Sequence, residues 1–235
     1  MRYVSLTVPV TVATAFISSA ADWQQYIVLK SAEQSIDGYF ILTESFSASD
    51  IGTKLKPSVN GETVLGFIGT LDGRGKTVTI ESGTDTGLGI FGVLGKGALV
   101  KNLTITDNSG IAPNWTTGIT LAQIAAKATL QNVTIDINNA NHTNGTRYGA
   151  LTHEGIVGCK FIGVTVNISG TVQSLSGGGN DVLGLSNTEF TDCSINLLTD
   201  DSRLDEVGHN GSGVYVAQGA AAINGETKIT GITIK

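Results

Sequence analysis

Apolar and polar positions alternate in short bursts along this chain, and one burst keeps returning. In "ALVKNLTITD" (98–107), an extended backbone turns Leu103 and Ile105 to one face and Thr104 and Thr106 to the other. Close copies follow in "TLQNVTIDI" (129–137), "KFIGVTVNI" (160–168), "EFTDCSINL" (189–197) and "KITGITIK" (228–235). Their leading aliphatic positions are Leu103, Val133, Val164, Cys193 and Ile232, spaced by 30, 31, 29 and 39 residues. Val78 of "GKTVTIES" is expected to join this column one repeat earlier. Self-similarity at a period of 20 to 50 residues is the signature of a solenoid.

The repeating unit is longer than one strand. "GLGIFGVLGKGALVKNLTI" (87–105) is echoed by "GITLAQIAAKATLQNVTI" (118–135) and "GALTHEGIVGCKFIGVTV" (149–166). Each unit holds at least two short apolar strands and glycine-bearing corners. These β-branched, glycine-rich stretches lack a 3.6-residue apolar stripe, which excludes a helical solenoid. Stacked units place Leu103, Val133, Val164 and their partners in interior columns, at about 4.8 Å per turn. Thr79, Thr104, Thr134, Thr165, Ser194 and Thr233 then form an outward hydroxyl column. Two further outward columns are expected, Asn102, Asn132, Gly163, Asp192, Gly231 and Glu81, Thr106, Asp136, Asn167, Asn196, Lys235. The amides are read as polar ladders between coils. The expected fold is all-β: a right-handed parallel β-helix of about six coils with an N-terminal capping helix.

With "DGYFILTESFSASDIG" (37–52) leading to "FIGTLDGRGKTVTI" (67–80) and then the glycine-spaced unit from 87, the chain resembles bacterial cell-surface β-helix proteins with GLUG-type, adhesin-like repeats. The resemblance spans roughly residues 20 to 235, although the glycine spacing decays after Leu94 and the fourth unit is truncated. It implies a non-catalytic extracellular or cell-surface scaffold.

Three segments follow. Residues 1–17 read as a strand, because Leu6, Val8, Val10 and Val12 alternate with polar or proline positions; a signal peptide would hold an uninterrupted apolar run. Residues 18–34 read as a capping helix, with Asp22 as its N-cap, Gln25 three residues on, and Trp23, Tyr26 and Ile27 as its apolar face. Residues 35–235 form the β-helix. "KITGITIK" is in mid-strand when it stops, so further domains of a longer chain, or a partner on that edge, are expected.

Composition narrows the function. Of 235 residues, 40% are hydrophobic and 14% charged, with 31 Gly against 3 Pro, which suits short strands and tight corners. The net charge of −6 and the absence of any Lys/Arg cluster along the sequence argue against a nucleic-acid partner. No apolar run is long enough for membrane insertion. Cys159 and Cys193 are expected as two buried free thiols, Cys193 in an interior aliphatic position.

Candidate chemistry is sparse. "LDGRGKT" (71–77) lacks the spacing of a phosphate-binding loop and reads as a surface turn. "LLTDDSRLDEVGHNGSG" (197–213) is the densest polar cluster, and Asp200, Asp201, Asp205 and His209 are candidate ligand-binding residues there. Trp115, in "SGIAPNWTTG", is a candidate for stacking on a sugar. Pectin-degrading hydrolases of this fold pair carboxylates across adjacent coils; here the acids share one loop, so no catalytic residue is assigned. The columns offer no stacked acids for calcium, and no metal site or cofactor is assigned. Two matched Thr rows, the mark of an ice-binding face, are not expected. The expected partner is a polysaccharide or host-surface ligand. The rival reading is a polysaccharide hydrolase or lyase working along one face.

Overall fold

The computed structural model describes residues 11–28, 35–48, 66–81, 89–110, 120–142, 149–177, 184–210, 213–216 and 231–235. Across them the chain winds into a parallel β-solenoid of about four turns, with one short helix. Among the described residues every strand pairing is parallel except one, between Arg203–Asn210 and Gly213–Val216.

Each long strand serves two sheets. Leu99–Asp107 lies in one sheet through Lys101, bends at Asn102, and enters the next at Leu103. The bend is a left-handed residue, φ 54° at Asn102, and the same corner recurs at Asn132 (φ 51°), Gly163 (φ 60°), Asp192 (φ 52°) and Gly231 (φ 84°). These positions are therefore corners, not an outward column. Asn, Asp and Gly fill them because they tolerate positive φ best.

The sheet after this corner carries the repeated tripeptide. Leu103 pairs with Val133, and Val166 with Ile135 and Ile195, so the inward residues stack turn upon turn. Leu103, Ile105, Val133, Ile135, Ile168 and Ile195 are all buried. Each such aliphatic side chain contributes about 1.5–3 kcal/mol by leaving water. Cys193 takes the aliphatic place opposite Ile232, and both cysteines are free and buried. Burial pushes the Cys159 thiol up to about 11 and raises that of Cys193 as well. Neither is poised as a nucleophile.

The register of the first repeat differs from expectation. Lys76, not Val78, pairs with Leu103, and Val78 pairs with Ile105. The outward columns therefore begin at Thr77 and Thr79, rather than Thr79 and Glu81. Gly73, Arg74 and Gly75 turn the corner that later turns make with one residue, which shifts the strand by two.

The helix is Ala20–Tyr26, and Ser19 rather than Asp22 is its N-cap. The Asp22 N–H donates to Ser19 Oγ (3.2 Å), while its carboxylate accepts from Ser18 N (2.9 Å) and Ser18 Oγ (2.8 Å). Asp22 thus plays the acidic partner of the capping arrangement. Trp23 is fully buried between Phe46 (5.9 Å) and Phe91 (5.2 Å), and its Nε1–H donates to Ile90 O at 2.8 Å. Residues 1–10 and 29–34 lie outside the described residues.

Candidate functional site

The candidate cluster near the C-terminal turns is not one loop. Thr199–Ser202 is a tight turn, closed by Ser202 N–H to Thr199 O (2.9 Å) and Thr199 N–H to Ser202 Oγ (3.1 Å). Asp200 and Asp201 are exposed at its tip. The chain then forms the strand Arg203–Asn210, which continues the ladder from Thr165–Ser176 through Val172 opposite Leu204. Asp205 points outward and pairs with Arg203 two residues away, while Leu204, Glu206 and Val207 are buried. His209 is placed by its backbone pairing with Val214; its side chain and Trp115 lie outside the described residues. At about 3.3 Å per residue, His209 begins ~13 Å along the strand from Asp205. The strand thus separates groups that the sequence analysis placed in one loop.

The outside of the solenoid holds two hydrogen-bond relays, one on the outward face of the repeated sheet and one along its corner, and each ends on a carboxylate. In the first, Asn196 Nδ2 donates to Asn167 Oδ1 (2.7 Å) and Asn167 Nδ2 to Asp136 Oδ1 (2.6 Å). Thr106 Oγ1 reaches Asp136 Oδ2 from the other side at 3.4 Å, and Ser194 Oγ donates to Thr165 Oγ1 at 3.2 Å. The second relay follows the corner. Asn132 Nδ2 donates to Asn102 Oδ1 (3.5 Å), and Asn102 Nδ2 to Asp72 Oδ1 (3.1 Å). The expected amide ladders are present, with Asp72 and Asp136 as their anchors.

Asp72 is the better-tied of the two. It also accepts from Arg74 N (3.1 Å) and Tyr39 Oη (3.3 Å), and Lys101 Nζ lies 3.5 Å away. Burial opposes its ionisation, but the Asn102 and Arg74 hydrogen bonds and the Lys101 charge outweigh it and hold the carboxyl below its ordinary range. A depressed folded-state value stabilises the fold above the unfolded carboxyl value of about 3.9, and that contribution disappears as pH falls through the lower folded value. Asp72→Asn is expected to lower the unfolding free energy by about 1–3 kcal/mol at pH 7. The deficit shrinks in acid, because below the unfolded carboxyl value of about 3.9 the unfolded wild-type chain takes up a proton that folded Asp72 resists. Urea unfolding of both proteins at pH 7 and pH 3 checks this; a deficit unchanged at pH 3 would show that the charge is irrelevant.

No family model, curated protein or solved structure gives a significant match to this chain. The site must be read from its own geometry. Among the described residues no three His, Cys, Asp or Glu side chains gather where a metal ion could sit, and no helix is long and apolar enough to cross a membrane. A cavity of about 30 Å³ lies inside the last turns, between Leu151, Phe161, Leu175, Phe190, Cys193 and Val207. Its walls are apolar.

Sequence reasoning missed two features. Asp72 is a hub joining three turns, and the 30-residue spacing from Asp72 to Asn102 and from Asn102 to Asn132 was its available signal. Asp107 sits on the interior column and is fully buried, accepting from Ser109 N (2.8 Å), Ser109 Oγ (2.5 Å) and Thr120 Oγ1 (2.7 Å). It closes a turn and needs no ligand to be satisfied.

Proposed function

We propose that this chain is a non-catalytic, extracellular or cell-surface β-helix scaffold, similar to adhesin-like GLUG proteins, that contacts glycans or host proteins through its loops. The finer architecture belongs to the same reading: right-handed winding, about six coils, and the Ala20–Tyr26 helix as the cap of the N-terminal core. The observation carrying it is where the polar side chains of the repeated sheet spend their hydrogen bonds. Asn196, Asn167, Thr106 and Asp136 bond to one another between turns, which stiffens a rod. Groups tied up in this way make poor acids, bases or nucleophiles. Function therefore falls to what the rod presents at its corners.

The test is incubation with a panel of polysaccharides, with and without calcium, followed by mass spectrometry of the soluble fraction. The expected result is no released oligosaccharide from any substrate, with retention of the protein on one or more immobilised glycans. Released products would overturn the scaffold reading and favour a hydrolase or lyase.

A further inference from the structure

Lysines that look scattered in the sequence come together on one side of the solenoid. Of the six lysines in the described residues, Lys96, Lys101, Lys127 and Lys160 lie on one sheet or the corner leading into it. Leu94 pairs with Ala125, so Lys96 and Lys127 occupy the same corner in successive turns. Gly97 N–H donates to Lys127 O (3.1 Å), Lys127 N–H to Val157 O (2.8 Å) and Gly158 N–H to Ser186 O (2.8 Å), which continues the corner through Gly158 and Asn187. Lys160 lies two residues past that corner in the next turn, opposite Thr129.

Lys127 is the unusual member. Its φ is 55°, a conformation that an L side chain adopts at a cost, and the next two turns fill the place with Gly158 and Asn187. Its stem lies across the next turn, with Cγ 3.3 Å from where a Gly158 Cβ would be. A cationic residue kept in a strained backbone position invites a functional reading.

The carboxylates on this side do not cancel the stripe. Asp72 is engaged by Lys101 and the Asn102 relay, and Glu189 makes an exposed pair with Lys160 at 3.4 Å. Such exposed pairs hold weakly. Asp192 is exposed at the far corner of the same sheet. Lys96 and Lys127 are both exposed and form no ion pair among the described residues.

We propose that the Lys96–Lys127 corner, with Lys160 beside it, binds an acidic polysaccharide laid along the solenoid axis. Charge complementarity selects the polymer's sign, and one ammonium per turn, at about 4.8 Å per turn, matches an extended chain rather than a compact ion. Thr129 and Gln131, half-buried on the outward face between the lysines, offer hydroxyl and amide groups for sugar hydroxyls. Single-stranded nucleic acid would want a series of aromatic stacking platforms; among the described residues the ring beside these lysines is Tyr39, which Lys101 covers at 5.9 Å. An anionic membrane surface would want a cluster of four to eight unpaired basic residues, and Lys101 and Lys160 are paired with Asp72 and Glu189. This deepens the scaffold reading by naming its ligand class, and it stands on different residues from the Asp200–His209 region.

The experiment measures binding to dextran sulfate, neutral dextran, polyadenylate and phosphatidylserine vesicles at low and moderate salt. Dextran sulfate is expected to bind best, more weakly as salt rises, and neutral dextran not at all. The triple variant Lys96→Gln, Lys127→Gln, Lys160→Gln is expected to lose about tenfold or more in affinity, the cumulative effect of three surface charges. Glu189→Gln is expected to tighten binding, and Lys76→Gln, on another part of the surface, to leave it unchanged. Lys127→Gly removes the charge while easing the backbone, so its loss of binding cannot be laid to misfolding. Undiminished binding by the triple variant, or preference for polyadenylate or vesicles, would overturn the proposal without touching the scaffold reading. Released oligosaccharides would do the reverse.

Discussion

Replacing Trp23 by alanine is expected to lower the unfolding free energy by about 3–5 kcal/mol, the upper part of the range for large buried side chains. The ring is fully buried at the N-terminal end of the solenoid, where Phe40, Phe46, Phe67 and Phe91 form a continuous aromatic cluster around it. Alanine removes the ring contacts and strips Ile90 O of the indole N–H that it accepts at 2.8 Å. Trp23→Phe separates the two effects. It keeps most of the apolar area and loses the hydrogen bond, so about 1–3 kcal/mol is expected. Because each turn of a solenoid touches only its neighbours, the damage should stay local. Limited proteolysis followed by mass spectrometry should show new cleavage in the N-terminal turns first, while urea unfolding gives the size. A loss under about 1 kcal/mol for the alanine variant would show that the helix does not seal the core.

Gly170→Ala is expected to cost about 3 kcal/mol or more, because it combines an unfavourable φ with a collision. Gly170 has φ 99°, and a Cβ built there would sit 2.3 Å from Ala140 O and 2.9 Å from Ala140 N. Both atoms are backbone of the preceding turn, in ladder positions, and cannot swing away. Relief requires opening the ladder between Thr129–His142 and Thr165–Ser176 where its register already shifts, between Ile168 and Gly170. Gly75 is the internal control. Its φ is 73°, but nothing lies within 4 Å of an added Cβ. Gly75→Ala should therefore show only the left-handed penalty of about 1–2 kcal/mol. Equal losses for the two variants, by urea unfolding, would mean that close approach between turns is not what glycine serves at position 170.

Much of the repeated sheet was legible from alternation alone. The columns through Leu103, Val133, Val164, Cys193 and Ile232 stack as their spacing implied, and Cys193 takes an aliphatic place. The Val78 register was not legible, for a specific reason. A slip of one residue would have turned the apolar face to water and been detectable, but a slip of two keeps every side chain on its own face. Both placements bury Val78; only the extra residues at Gly73–Gly75 decide between them. Ser19 and Asp22 are both competent caps by residue type, and local sequence could not rank them. The amides at Asn102 and Asn132 were read as outward ladder residues because their left-handed φ does not show in a two-residue alternation.

The candidate cluster was less legible than the fold. Asp200, Asp201, Asp205 and His209 are close in sequence, yet a turn and an extended strand spread them out. Lys96, Lys127 and Lys160 are far apart in sequence and lie on adjacent turns. Sequence proximity was misleading in both directions, since in a solenoid the nearest neighbour across a turn is about 30 residues away.

The sequence by itself determined the class of structure. A two-residue alternation carried on β-branched residues and repeated at near-constant spacing has few ways to bury its apolar side other than by stacking. Only the tertiary structure decided which residues meet across turns: Asp72 with Tyr39, Lys101 and Asn102, Asn196 with Asn167, and one lysine corner with the next. Hydrophobic burial is non-directional and survives a two-residue slip, so composition and period suffice to specify it. Hydrogen bonds and charge pairs need their partners within about 3–4 Å. Their identity therefore depends on the length of every corner, and corner length is settled by left-handed residues and inserted glycines.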